Sequence, residues 1–187
     1  YKRQGSTFTP LGTSDFTETL DWLEVHGPDA VLVLLIGDDA VRFGRAFARR
    51  GLDEISLRFS PILEENQVLG MGASATANMY SAAGYFDSLA TTSTLDFGAR
   101  YHRFHGVDAP MLNSIGQSCY EAINVLGEIA TRAGSLAVPA LEAAARGATI
   151  DGSRGALRLG AGHTDQDVYV AAARHLDLDV LERIHVA

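Results

Sequence analysis

Between positions 30 and 61 the chain changes its hydrophobic rhythm three times. Residues 31–36, VLVLLI, are apolar without a break, the pattern of a parallel strand covered on both faces. Gly37, Asp38 and Asp39 interrupt the run. Ala40, Val41, Phe43, Gly44 and Phe47 then recur at helical spacing, with Arg42, Arg45, Arg49 and Arg50 on the wet side. Gly51 is placed to end that helix. Ile55, Leu57 and Phe59 alternate with Ser56 and Arg58 and predict a second strand that stops at Ser60 and Pro61. Strand, helix and strand in this order imply a parallel sheet with a right-handed crossover. In open sheets of that kind ligands sit outside the carboxyl ends of the strands. Gly37, Asp38, Asp39, Ser60 and Pro61 therefore form the candidate functional edge.

The same reading extends along the chain. Residues 7–11 look like a strand entering a loop. Ser14 or Asp15 can cap a helix over 16–26, with Leu20, Trp22 and Leu23 on its apolar side. A short helix is expected over 64–70 and a strand over 76–84, running into Tyr85 and Phe86. A helix over 91–106 would present Leu95, Phe97, Tyr101 and Phe104. The longest helix is expected over 113–133, with Ile115, Ala122, Ile123, Leu126, Ile129 and Ala130 inside, followed by another over 138–146. Beyond it, short strands at 149–152, 155–159, 167–174 and 180–186 with glycine turns make a small strand-rich tail.

The net charge is −8 over 187 residues. No basic surplus exists to meet phosphates, which argues against nucleic acid or an anionic membrane as partner. No apolar run approaches the roughly 20 residues that span a bilayer. Cys119 is the only cysteine, so neither an internal disulfide nor a cysteine-rich metal cluster is possible.

Several residues invite a chemical reading. Asp38 and Asp39 could contact a ligand, or could cap the helix that follows them and suit its dipole. Asp53-Glu54 and Glu64-Glu65 read as solvated faces. His102 and His105 stand three apart on a helix without a third ligand nearby, which favours a surface role over metal binding. Ser60 has no general base beside it in sequence, and Lys2 is the only lysine. Nucleophilic, Schiff-base and P-loop chemistry are accordingly not expected, and neither is a cofactor or an enzyme. Small polar loops at strand ends, together with Tyr85 and Phe86, suit ligand holding better than catalysis.

Read in order, PLGTSDF (10–16), VLVLLIGDDAVRFGRAF (31–47), LRFSPILEE (57–65), YSAAGYFDSL (80–89), SIGQSCYEAINVLGEIATRAG (114–134) and IDGSRGALRL (150–159) with His163 resemble the type I periplasmic solute-binding protein family, in its short-chain amide and urea branch. The resemblance implies two α/β lobes joined by three crossovers and closing on a small ligand. Each lobe would be a three-layer parallel sheet with helices on both faces. It maps the chain onto the C-terminal part of such a protein. Residues 1–110 would be the α/β core of the C-terminal lobe. Residues 111–147 would be a helical crossover belonging to the N-terminal lobe, and 148–187 the return, with short strands. Gly37, Asp38, Asp39, Ser60 and Pro61 would face the cleft, and Tyr85 and Phe86 would stand near its wall. The implied function is that of a solute receptor for an ABC-type uptake system, located outside the cytoplasm and partnered by a membrane permease. The alternative is a cytoplasmic amide-sensing regulator of transcription that acts through a protein partner. A carboxylate facing the cleft only accepts hydrogen bonds, which favours an amide, urea or amino acid as ligand. Helix 113–133 would carry its apolar stripe with no sheet of its own to cover, so either self-association through it or its folding back onto the chain's own lobe is expected.

Overall fold

The computed structural model describes residues 5–160 and 162–185; Lys2 and Val186, the expected end of the last strand, lie outside them. The helices are α1 (Thr17–His26), α2 (Gly37–Arg49), α3 (Glu65–Met71), α4 (Thr92–His105), α5 (Ser114–Ala133) and α6 (Val138–Ala145). The strands are β1 (Ala30–Leu32), β2 (Leu57–Ser60), β3 (Met79–Ala83), β4 (Thr149–Gly152), β5 (Gly155–Leu159), β6 (Thr164–Asp165), β7 (Val168–Arg174) and β8 (Asp177–Ile184). Residues 7–10 are not a strand, and Phe8 and Leu11 are exposed.

Two compact units form. One runs to Ser81 and is completed by Ala172–Asp179; the other takes Ala82–Ala171 and resumes at Val180. The chain thus changes unit after 81, 171 and 179. Tyr85 buries itself with Phe97 of α4 and with Leu112, which draws α4 into the second unit.

The first unit is built on an α/β sheet of order β1-β2-β3-β7-β8, flanked by helices. The first three strands are parallel, with Val31 opposite Arg58 and Arg58 opposite Met79. The sheet is mixed, not all-parallel, because β7 and β8 form a hairpin. His175 and Leu176 at its tip have φ of 50° and 73°, the left-handed pair of a two-residue hairpin turn. The core joins Phe16, Leu20 and Leu23 of the α1 region to Val33, and to Phe43 and Phe47 of α2. The Asp15 carboxylate accepts the Thr17 N–H at 2.9 Å and starts α1, and Gly51, at φ 68°, ends the α2 region as expected.

Two strands depart from their patterns. In the run 31–36 only one side is covered. Val33 is buried, with Val31 and Leu35 packed beside the core, whereas Leu32, Leu34 and Ile36 are exposed. β1 is also the edge of the sheet, and uniform hydrophobicity did not mean burial on both faces, because the α1 and α2 residues cover only the Val31, Val33 and Leu35 side. In the next strand the polar set is inside: Ser56, Arg58 and Ser60 are buried, and Ile55 and Leu57 are exposed. Arg58 is 0% exposed. Its Nη2 donates to the carbonyls of Ala75 and Ala77 at 3.0 and 2.7 Å, and its guanidinium lies 4.8 Å from the centre of the Phe47 ring. Burial pulls its pKa down to about 10, against the opposing pull of Asp53. Glu64 and Glu65 are buried too: Glu64 forms a reciprocal capping box with Gln67 at the start of α3.

The second unit packs α5 and α6 on a three-stranded antiparallel sheet, β4-β5-β6. Ile129, Ile150 and Leu159 form its core, supported by Val125 and Leu141. The buried residues of α5 are Gln117, Glu121 and Ile129. Ile115, Ile123 and Leu126 are exposed, Ile123 by 71%, so the expected inner face is turned outward. On α4, Phe97 is buried as expected, while Leu95 and Phe104 are exposed.

Gly44 of α2 lies against Met71 of α3. A Cβ there would collide with the Met71 thioether. Gly44→Val is therefore expected to lower stability by about 1–3 kcal/mol, the usual cost of overpacking, measured as a fall in the urea midpoint at unchanged slope.

Candidate functional site

The carboxyl edge of the first unit brings together five of the residues singled out from sequence. Gly37, Asp38 and Asp39 open α2 directly after the β1 segment, and Ser60 and Pro61 end β2. Gly37, Asp38 and Pro61 are exposed, and the Asp38 side chain keeps 87% of its accessible surface. Asp39 is different. It is buried, and its Oδ2 accepts the N–H of Gly12 at 2.7 Å. It therefore ties the 10–13 loop to the start of α2; no side chain caps this helix. Arg42 stands 3.6 Å from Asp38 and 3.5 Å from Asp39, balancing the pair. Ser60 is buried.

Tyr85 and Phe86 belong to the second unit. Both are 1% exposed, and Tyr85 meets the Phe97 ring edge-on at 6.2 Å. They are core residues of that unit. Their neighbour Gly84, not they themselves, reaches a cavity.

That cavity, of about 190 Å³, is lined by Gly84, Arg154, Asp165, Gln166, Asp167 and Tyr169 among others. Behind it lies a buried polar network that sequence reasoning missed. Glu121 Oε2 accepts from Gln117 Nε2 at 2.6 Å and from Ser153 Oγ at 2.7 Å, and stands 3.6 Å from Arg154 Nε. Ser153 and Arg154 form the turn between β4 and β5, so the network ties α5 to that hairpin. Burial lowers the Arg154 pKa, with Glu121 pulling the other way. A second groove of about 450 Å³ runs past Tyr120, Asn124, Glu128, Arg132 and Asp151. The helical spacing of Gln117 and Glu121 was visible in the sequence. Their pairing with residues 32 to 36 positions away was not.

On the cavity wall, Asp167 is held by Arg183 at 2.6 Å and by His185 at 2.7 Å. Burial pushes its carboxyl up, but these two partners outweigh burial and hold it below 3.8. Among the described residues no group of three or more His, Cys, Asp or Glu side chains could hold a metal ion, and none of the described helices is long and apolar enough to cross a membrane.

The model of the periplasmic binding protein family matches residues 3–175, and no curated protein matches the chain at a significant level. Among solved structures, an amino acid ABC transporter substrate-binding protein from Pseudomonas fluorescens is 16% identical with a TM-score of 0.80, over 97% of this chain and 51% of its own. A solute-binding protein from Rhodopseudomonas palustris in complex with p-hydroxybenzoic acid is 19% identical, with a TM-score of 0.83, over 94% and 50%. A leucine-binding protein from Thermotoga maritima is 18% identical, with a TM-score of 0.77, over 96% and 51%. The chain spans about half the length of these structures. It belongs to the type I periplasmic binding protein family.

The Asp167 cluster gives a pH-dependent expectation. A depressed carboxylate pKa contributes stability above the unfolded value and loses it as pH falls through the folded one. Asp167→Asn should lower the melting temperature at pH 7, and the gap to the parent should close as pH falls below 3.8, in thermal scans followed by circular dichroism.

Proposed function

We propose that the chain is part of a solute receptor of an ABC-type uptake system, working outside the cytoplasm and delivering a small ligand to a membrane permease. Family membership supports the receptor reading. The observation that carries the site assignment is the open carboxyl edge of the parallel strands, where Gly37, Asp38 and Pro61 are exposed beside a loop fixed by Asp39. Among the described residues no side chain donates a hydrogen bond to Asp38, and the Arg42 guanidinium stands 3.6 Å away. An ionised carboxylate only accepts, so the ligand we assign is an amide, urea or amino acid, whose N–H groups donate. Tyr85 and Phe86 act in this reading as the rigid support of the neighbouring segment, not as contacts.

Calorimetric titration of the protein with small amides, urea and amino acids tests the assignment. Asp38→Asn should weaken binding of the preferred solute by about 1–3 kcal/mol, the cost of losing one polar contact. Unchanged affinity would leave Asp38 with a role at the helix terminus alone.

We also propose that the exposed stripe Ile115, Ile123 and Leu126 of α5 drives association between copies of the chain. Light scattering should show a mass that grows with concentration, and Ile123→Glu should return it to that of the monomer.

A further inference from the structure

We propose that the cavity of the second unit is a binding site for a small carboxylic acid that also carries an N–H or O–H donor, with Arg154 as the group that receives the carboxylate. The site is separate from the Asp38 edge and does not depend on which solute that edge takes.

Arg154 carries the argument. Its side chain is only 13% exposed, and its guanidinium forms an ion pair with the buried Glu121 through the Nε side. Glu121 Oε2 stands 3.6 Å from Arg154 Nε, an ion-pair distance, and that Nε has no hydrogen-bond partner among the described residues. The Glu121 oxygen nearest to it already accepts from Gln117 and from Ser153. A guanidinium presents five donors in a rigid fork that matches a carboxylate. The end that bears Nη1 reaches Gly84 on the cavity wall, where any Cβ would collide with it. Glycine at 84 thus leaves the fork room to lie along the wall. The cavity of about 190 Å³ accommodates an acid of a few heavy atoms, since one water needs only about 10–15 Å³ of such space.

The other walls define the second half of the ligand. Asp165 and Asp167 line the same cavity. Asp167 is balanced by Arg183 and His185. Among the described residues Asp165 is paired with the exposed His163 at 3.4 Å. A bare anion would meet Arg154 but would be repelled by Asp165. An acid that also carries an ammonium or hydroxyl group satisfies both, because that group donates to the carboxylate that would otherwise repel it. The network of Gln117, Glu121 and Ser153 acts through Arg154, fixing the base of its side chain; these are positioning residues.

Titrating the full chain with glycine and with acetate, followed by heteronuclear NMR, tests the proposal. Glycine should bind more tightly than acetate, and Arg154→Gln should weaken both at least tenfold. Because that variant leaves Glu121 without its cation and can compromise folding, Asp165→Asn provides an independent reading on a half-exposed position. It should weaken glycine several-fold and strengthen acetate. Failure of either acid to bind the parent chain would overturn the proposal. So would unchanged affinity in folded Arg154→Gln, a shift of the same sign for both acids in Asp165→Asn, or sulfate competing as well as acetate does.

Discussion

A buried carboxylate governs the second unit. Glu121 is 4% exposed on the inner face of α5, and an ionised group taken out of water costs several kcal/mol unless it is paired and hydrogen-bonded. The chain meets that cost with Gln117 one helical turn away and with Ser153 and Arg154 from the β4–β5 turn. The consequences spread outward. The helix must present its 117–121 side to the hairpin, so its apolar stripe at Ile115, Ile123 and Leu126 faces away. The hairpin must keep glycine at 152, because a Cβ there would strike the Glu121 carboxylate. Arg154, drawn to Glu121 but not bonded to it, is left along the wall of the cavity.

The first unit shows the same principle with the opposite sign. Arg58 places a cation beneath the sheet, its Nη2 held by two backbone carbonyls and its plane near the Phe47 ring, while Nε and Nη1 make no hydrogen bond among the described residues. Those carbonyls belong to the segment between α3 and β3, so the buried arginine also fixes how the chain re-enters the sheet. Its strand neighbours Ser56 and Ser60 bury with it, and Ser56 donates to the Pro28 carbonyl at 2.5 Å. The inner face of β2 is therefore a polar seam between apolar layers. Its register against β1 and β3 is what places Ser60 and Pro61 at the same edge as Gly37 and Asp38.

These two arrangements leave each unit with a distinct polar opening. One is a row of loop groups at strand ends, where a single exposed carboxylate dominates. The other is a half-open cavity lined by the Arg154 guanidinium and two carboxylates, Asp165 and Asp167. A receptor reading requires only that a small solute replace its water contacts with fixed polar groups, and both openings offer such groups on elements held by buried networks.

Element order, the three parallel strands, the α2 helix and its glycine stop, and the long helix at 114–133 were all legible in the sequence. Each is written in local terms: a period of two or of 3.6, a glycine at a left-handed position, a capping side chain. The loops at strand ends followed from the parallel topology alone. What the sequence could not determine was which side of an element faces inward. Ile55 and Leu57 lost to Ser56 and Arg58, and Ile115, Ile123 and Leu126 lost to Gln117 and Glu121, because partners far along the chain satisfy those polar groups. A hydrophobic face is buried only if something covers it, and a polar one stays out only if nothing inside can bond it. Both conditions depend on residues brought near by the tertiary fold, which is why Arg154 and its cavity emerged from the structure and not from the pattern.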